Sequence, residues 1–269
     1  LILKLSEELL MMPQYNSEKG TSDREWVVSI YELSFLVTEG ILSFNCSKGG
    51  LLYYQLIGKL EDIRLKFPNI LHYLDHFLLI LPDSVKEQQV FWERFYSFYS
   101  TEYLHMIDIE HNLSCMRYFR ELLDECSNLP PNFKILDYGC GPGLSLDVFG
   151  YEHLVGYDNS PKMLEQAKAR GLNVLSKKEF DSMSPCSVDG IIACYVLHMA
   201  IPENDIIKLA GLMKVGGVLV ANYYKDLGLE RVSLMLQKLG FSAQKVNDQE
   251  RRFGSVYIYR KQALFSSLG

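Results

Sequence analysis

The sequence has no long uncharged apolar run. None approaches the roughly 18 residues that a membrane-spanning helix needs, so no such span is expected. There is no excess of basic charge either: 27 Lys and Arg stand against 33 Asp and Glu, a formal net charge of −6. A nucleic-acid binder is expected to carry a basic footprint, so this balance argues against nucleic acid as a partner. None of the six cysteines (Cys46, Cys115, Cys126, Cys140, Cys186 and Cys194) pairs as Cys-x-x-Cys, which speaks against a zinc ribbon or a thioredoxin-type redox pair. Scattered thiols in a chain of 269 residues suit a reducing compartment, and a cytoplasmic location is expected. Internal repeats and low-complexity tracts are missing too. The opening stretch LILKLSEELLMMPQ has an early acidic pair and no small-residue cleavage site, so it reads as a helix rather than a signal peptide.

What is present is enough apolar material, 48% of residues, for a sizeable core. It is arranged in two contrasting halves. DREWVVSIYELSFLVTEG begins with an acidic cap and ends at Gly40, a helix-stop residue. KGGLLYYQLIGKLEDIRLKFPN repeats apolar residues at helical spacing and stops near Pro68. ILHYLDHFLLILPDS, SVKEQQVFWERFYSFYSTEYLHMI and HNLSCMRYFRELLDECS follow, before a break at Pro130 and Pro131. These stretches predict a helical N-terminal domain over residues 1–125, acting as a lid or substrate-binding region, and a second domain over residues 126–269.

From Lys134 onward short apolar strands alternate with helical stretches: KILDYG, HLVGYD, PKMLEQAKARG, LNVLS, VDGIIACYVLHM, ENDIIKLAGLMKVGG, VLVANYY and LERVSLMLQKLG. Such alternation implies a parallel sheet with helices on both faces. The last two strands, FSAQKV and SVYIYRK, are joined by a short polar stretch that reads as a hairpin. The expected fold class is α/β: a doubly wound, mostly parallel seven-stranded sheet with an antiparallel C-terminal strand, plus the helical N-terminal domain.

Gly139, Gly141 and Gly143 follow directly on the first of these strands. Glycine allows a tight turn and close approach of a ligand, and the carboxyl end of the first strand is where a nucleotide-like ligand sits in such a sheet. The nicotinamide fingerprint Gly-x-Gly-x-x-Gly fails in detail, because its third glycine would fall on Leu144. A second strand ends in Asp158, placed to accept both ribose hydroxyls, with Pro161 in the first turn of the helix that follows.

With ILDYGCGPG, VGYDNSPKMLEQAKARG, SVDGIIACYVLHM and LMKVGGVLVANYY taken together, the chain resembles the class I S-adenosylmethionine-dependent methyltransferases over roughly residues 133–260. The resemblance implies S-adenosyl-L-methionine as cofactor. It implies that the loop Gly139-Cys140-Gly141 to Gly143 faces the methionine part, with Asp137 near its amino group. Asp158 would hold the ribose, and Asn159 or Met163 would flank the adenine. An acid and the residue after it, Glu179-Phe180 or Phe180-Asp181, would contact the adenine edge, Glu179-Phe180 being preferred. Cys194 and Tyr195 would line the boundary between cofactor and acceptor.

Methyl transfer needs a base only where the nucleophile arrives protonated. His198 is the candidate, with Tyr195 beside it; the rival reading makes His198 a structural or pocket-lining side chain. The stretch Phe91–Tyr103 contains seven aromatics in thirteen residues, and Tyr96, Tyr99 and Tyr103, with Tyr195 and Tyr223, are candidates for the acceptor site. The bland alternative is that this aromatic face packs the helical part onto the sheet. His72, Asp75 and His76, spaced for one helical turn, and His105 with His111 are weak metal patterns, and no metal is expected. The Asn/Asp-Pro-Pro-aromatic motif of adenine-modifying enzymes is replaced by ACYVLHM. The expected activity is methyl transfer to O, N or C of a small molecule or peptide under the helical lid. An RNA methyltransferase and a non-catalytic cofactor-binding protein are the alternatives. The N-terminal helices could equally form a homodimer interface.

Overall fold

Short apolar runs dominate the first eighty residues, and they are satisfied by pairing with one another. The computed structural model describes residues 2–6, 9–13, 25–28, 36–40, 42–48, 51–57, 70–73, 77–82, 84–101, 103–126, 129–247 and 252–263. Its early strands are β1 (Ile2–Ser6), β2 (Leu9–Pro13), β3 (Glu25–Val28), β4 (Leu42–Lys48), β5 (Leu51–Leu56), β6 (Ile70–Tyr73) and β7 (Phe77–Ile80). They form one sheet in the order β4-β5-β1-β2-β3-β7-β6. The helical reading is therefore corrected for these segments, the opening stretch included. The physical reason lies in the connections. Ser6 pairs with Leu9 and Lys48 with Leu51, so two residues join each pair of strands. An apolar run this short is a poor isolated helix, whereas a hairpin satisfies its backbone at once. Periodicity alone cannot tell the two apart over so few residues.

The helical expectation holds further on, in α1 (Val85–Tyr99), α2 (Tyr103–Met106) and α3 (Ile109–Cys126). Ser84 opens α1, its hydroxyl accepting from the Glu87 N–H at 3.2 Å. Asp108 opens α3, its carboxylate accepting from the His111 N–H at 2.9 Å. α3 buries Cys115, Met116, Phe119, Leu122 and Leu123, a single stripe at helical spacing. The chain divides into two compact units, Leu1–Phe95 and Tyr96–Gly269. The division thus falls inside α1 rather than after residue 125, and α2 and α3 belong with the second unit.

That unit continues with β8 (Ile135–Tyr138), α4 (Leu146–Phe149), β9 (Leu154–Tyr157), α5 (Pro161–Ala169), β10 (Val174–Leu175), α6 (Lys177–Ser182) and β11 (Val188–Ala193). It ends with α7 (Glu203–Leu212), β12 (Met213–Tyr223), a 3₁₀ turn at Tyr224–Asp226, α8 (Leu229–Lys238), β13 (Phe241–Lys245) and β14 (Ser255–Lys261). The seven strands lie in the order β10-β9-β8-β11-β12-β14-β13, as a mostly parallel sheet. β14 is antiparallel to both its neighbours, and its hairpin with β13 seats it between β13 and β12.

Side chains alternate across this sheet. Ile135, Ile192, Val218 and Val220 meet α3, α4 and α5, while Leu136, Tyr138, Ile191 and Leu219 meet α6, α7 and α8. Burial on both faces explains why the strands read as continuous apolar runs. One buried polar tie crosses the second face: the Tyr138 hydroxyl donates to Asp205 at 2.8 Å, joining β8 to α7. Tyr138→Phe should therefore cost about 1–3 kcal/mol of stability, because Asp205 loses a buried donor. Chemical denaturation measures this, and an unmoved midpoint would show that the tie contributes nothing.

Candidate active site

β8 and β11 are parallel neighbours, with Ile192 level with Asp137, so the segments leaving their carboxyl ends emerge together. The strand order turns outward in opposite directions from these two strands, which is where a crevice opens in a doubly wound sheet. The loop after β8 passes through Gly139, Gly141 and Gly143 with φ of +78°, +50° and +83°. At Gly139 the need for glycine is also one of space, since a Cβ there would stand 2.3 Å from Val196 Cγ2 in the segment after β11. At Gly141 the nearest atom to an added Cβ would be Tyr103 Cε1 at 3.9 Å, which leaves backbone that a ligand can approach. The loop is pinned from the next strand. The Gly139 and Cys140 N–H groups donate to the Tyr157 carbonyl at 2.7 and 3.0 Å.

Two acids flank the loop. Asp158, at the tip of β9, accepts from the Gly141 N–H at 2.9 Å through one oxygen and from the Ser160 N–H at 2.8 Å through the other. Asp137 is 1% exposed and accepts from the Ser145 hydroxyl, so it braces the loop from beneath. Burial pushes the Asp158 carboxyl up to about 6, against the bonds from Ser160 and Gly141. Burial pushes Asp137 up to about 7, against the Ser145 bond and with Asp158 adding to the rise. Both folded values lie above the ordinary 3.8, so the folded protein favours the neutral acids. The stability they contribute is complete below the ordinary value and is lost as pH rises through about 6 and about 7. Asp137→Asn should accordingly flatten the fall in melting temperature expected of wild type between about pH 5 and pH 8. Parallel melting curves for the two proteins would contradict this.

The other predicted site residues separate into two groups. Asn159 and Glu179 are exposed near the tips of β9 and β10. Tyr96 and Tyr103 are half-buried, their rings 5.8 Å apart, and Tyr103 faces Gly141. Tyr195 is half-buried and packs against the apolar cluster of α3 and β12. The remaining side chains belong to the core. Phe180 is fully buried and stacks on Tyr157 at 4.1 Å, while Glu179 caps its own helix through Ser176. Met163, Cys140, Cys194 and Tyr99 are buried as well. Tyr223 is fully buried, its hydroxyl 2.8 Å from that of Tyr259. His198 is 5% exposed and lies against the Tyr224 ring and the Gly228 backbone, and burial holds it neutral, down to about 3. His198, Tyr99, Tyr223, Met163 and the Phe180 ring are thus all buried side chains. Each is apolar or aromatic enough to be taken by packing.

Reasoning from the sequence missed two partners of Tyr195 and one of Gly139. The His111 Nε2 lies 2.9 Å from the Tyr195 hydroxyl. Asn222, fully buried in β12, accepts from the Tyr195 N–H at 2.6 Å and donates to the Phe253 carbonyl at 2.9 Å. Val196 fills the space that Gly139 leaves. An asparagine inside the apolar run VLVANYY is a readable signal, because a buried amide requires partners. His111 carries no such signal: it stands 84 residues from Tyr195.

Other candidates lead away from the crevice. A cavity of about 490 Å³, lined by Asp189, Lys214 and Arg260 among others, opens at the amino ends of the strands. Its cations are taken, Lys214 by Asp189 at 2.7 Å and Arg260 by the Cys126 carbonyl. His72 lies on strand β6; Asp75 and His76 lie outside the described residues. Among the described residues no cluster of His, Cys, Asp or Glu could hold a metal ion, and no helix is long and apolar enough to cross a membrane.

A protein family described as a methyltransferase domain matches residues 135–217, from the start of β8 into β12. No curated protein matches the chain. Among solved structures, a methyltransferase dependent on S-adenosylmethionine from Aquifex aeolicus is 20% identical with a TM-score of 0.41, over 52% of this chain and 86% of its own. Magnesium protoporphyrin IX methyltransferase from Synechocystis, solved with S-adenosylmethionine bound, is 19% identical with a TM-score of 0.40, over 55% and 78%. DesVI from Streptomyces venezuelae is 11% identical with a TM-score of 0.44, over 56% and 92%. The family match falls on the strands that carry the glycine loop and its acid, so this part of the chain is similar to a methyltransferase domain.

Proposed function

We propose that the chain transfers a methyl group to an O, N or C nucleophile of a small molecule or peptide bound beside the helical segment Tyr96–Cys126. The observation that carries this reading is the Asp158 carboxylate at the tip of β9, bonded to the open Gly141 backbone. A nucleoside with an amino-acid tail fits these residues. Each carboxylate oxygen has a lone pair beyond the one used by Gly141 or Ser160, so Asp158 would accept the ribose hydroxyls. The bare backbone at Gly141 would lie against the tail. The bound sulfonium supplies an already activated methyl group, so the protein has mainly to position the nucleophile and exclude water. Tyr96 and Tyr103 offer aromatic surface on the side of the loop where an acceptor would enter. The Gln166 amide donates to the Ser100 carbonyl at 2.7 Å, which holds that segment over α5. The acidic balance of the chain favours a small molecule or peptide over RNA.

Calorimetric titration of the full chain with S-adenosylhomocysteine tests the reading. Saturation at about one molecule per chain is expected, with thermal stabilisation by mass action. A titration without heat and without stabilisation would remove its foundation.

A further inference from the structure

The ladder between β11 and β12 ends where Ala193 stands opposite Ala221. Beyond that pair a side chain takes over. Asn222, the next residue of β12, accepts the Tyr195 N–H through its amide oxygen at 2.6 Å. Its amide nitrogen donates to the Phe253 carbonyl at 2.9 Å and lies 3.6 Å from Cys115 Sγ in α3. The partners fix which way the amide lies, since an N–H must meet its oxygen and a carbonyl its nitrogen. One fully buried side chain thus joins the exit from β11, the approach to β14 and the helix α3.

What this side chain holds is a strained backbone. Tyr195 has a φ of +55°, in the left-handed region, which a residue with a Cβ keeps only where its surroundings over-determine it. The bond at its N–H is one such constraint, and His111 Nε2, 2.9 Å from its hydroxyl, is another. The turn carries the chain out of β11 and delivers Val196. Tyr195 packs with the apolar cluster under α3, and Val196 with the cluster on the opposite face of the sheet. There Val196 covers Gly139: its Cγ atoms lie 2.3 and 2.8 Å from where a Cβ would stand. Two residues further on, the Gly141 N–H meets Asp158. Contacts therefore run from Asn222 through Tyr195 and Val196 to the glycine loop.

We propose that Asn222 is a positioning residue for the glycine loop. It holds Tyr195 in its left-handed turn, and through that turn holds Val196 against Gly139, so that the open backbone at Gly141 stays where a nucleoside ligand meets it. The ligand rests on the methyltransferase reading; the coupling between Asn222 and the loop does not. Asparagine suits the place because its short planar amide offers an acceptor and a donor together. Aspartate has no donor for the Phe253 carbonyl, glutamine is one carbon longer, and a serine hydroxyl falls short of both partners.

The test starts on the full chain without ligand. Amide hydrogen exchange is followed at Gly139 and, as the reference, at Asp189, whose N–H donates to the Lys134 carbonyl at 2.8 Å at the other end of β11. Asn222→Ser should speed exchange at Gly139 about tenfold more than at Asp189, because the lost tie releases the loop and not the whole domain. Equal acceleration at the two sites would show that Asn222 only supports the fold, and overturns the proposal whether or not a ligand binds. If Asn222→Ser does not fold, Val196→Ala reads the same coupling from its other end: exchange at the Tyr195 amide should quicken, and an unchanged rate there overturns the proposal. Titration with S-adenosylhomocysteine follows. Wild type that takes up none sinks the methyltransferase reading, while exchange has already decided the coupling. Where it binds, Asn222→Ser should lose about tenfold in affinity and Val196→Ala about threefold, and the double variant about tenfold rather than about thirtyfold. Losses that multiply in full, or Asn222→Ser binding as tightly as wild type, would place Asn222 outside the route to the loop.

Discussion

Asp158→Ala should bind S-adenosylhomocysteine about 30- to 150-fold more weakly than wild type, a loss of about 2–3 kcal/mol. Two things go at once. The ribose loses charge-assisted acceptors, and the Gly141 N–H loses the partner that sets the open part of the loop. Asp158→Asn separates them, because its carbonyl oxygen can still receive the Gly141 N–H while the charge is gone. The wild type should show the same dependence on charge through pH. Burial raises the Asp158 carboxyl to about 6, so affinity should decline as pH falls through that value and be full above it. Calorimetry across that range measures both effects. An alanine variant that binds as tightly as wild type would detach Asp158 from the cofactor altogether.

Gly139→Ala should be the most damaging single change in the loop. A left-handed backbone costs an alanine about 1–2 kcal/mol. The new methyl would also stand 2.3 Å from Val196 Cγ2, and overpacking of this kind costs about 1–3 kcal/mol. The sum, about 2–5 kcal/mol, is a large share of the stability of an ordinary domain. Pairing it with Val196→Ala should recover the steric part and leave the backbone part. Gly141→Ala is the control: its added methyl meets nothing nearer than Tyr103 at 3.9 Å, so stability should fall only by the backbone contribution. Affinity for S-adenosylhomocysteine should fall more, because that methyl enters the approach to the loop. Chemical denaturation and calorimetry on the three variants separate these outcomes. Equal stability losses at positions 139 and 141 would show that Val196 does not define the turn.

Neighbouring residues carried much of the second unit. VDGIIAC is apolar enough to be buried on both faces, and so reads as a central strand before any partner is known. The three glycines on alternate positions after KILDY, and an acid at the end of the next strand, mark the crevice in the same local way. A polar residue in an apolar strand, Asn222, signals a buried anchor, though the sequence reading passed over it.

Packing decided the rest. The short apolar runs before residue 81 suit helix or strand equally, and their choice depended on which other run lay within pairing distance. Phe180, Met163, Tyr99 and His198 looked available to a ligand because their types permit it; each is buried. Tyr195 met His111 across 84 residues through the parallel pairing of β11 with its neighbours and the seating of α3 on that face. Residue type and spacing thus determined the strand runs, the turn glycines and the ribose acid, because backbone conformation answers to neighbours within a few positions. Which side chains face the crevice, and in whose company, was left to the tertiary structure, because burial and hydrogen bonding are settled by whatever arrives from elsewhere in the chain.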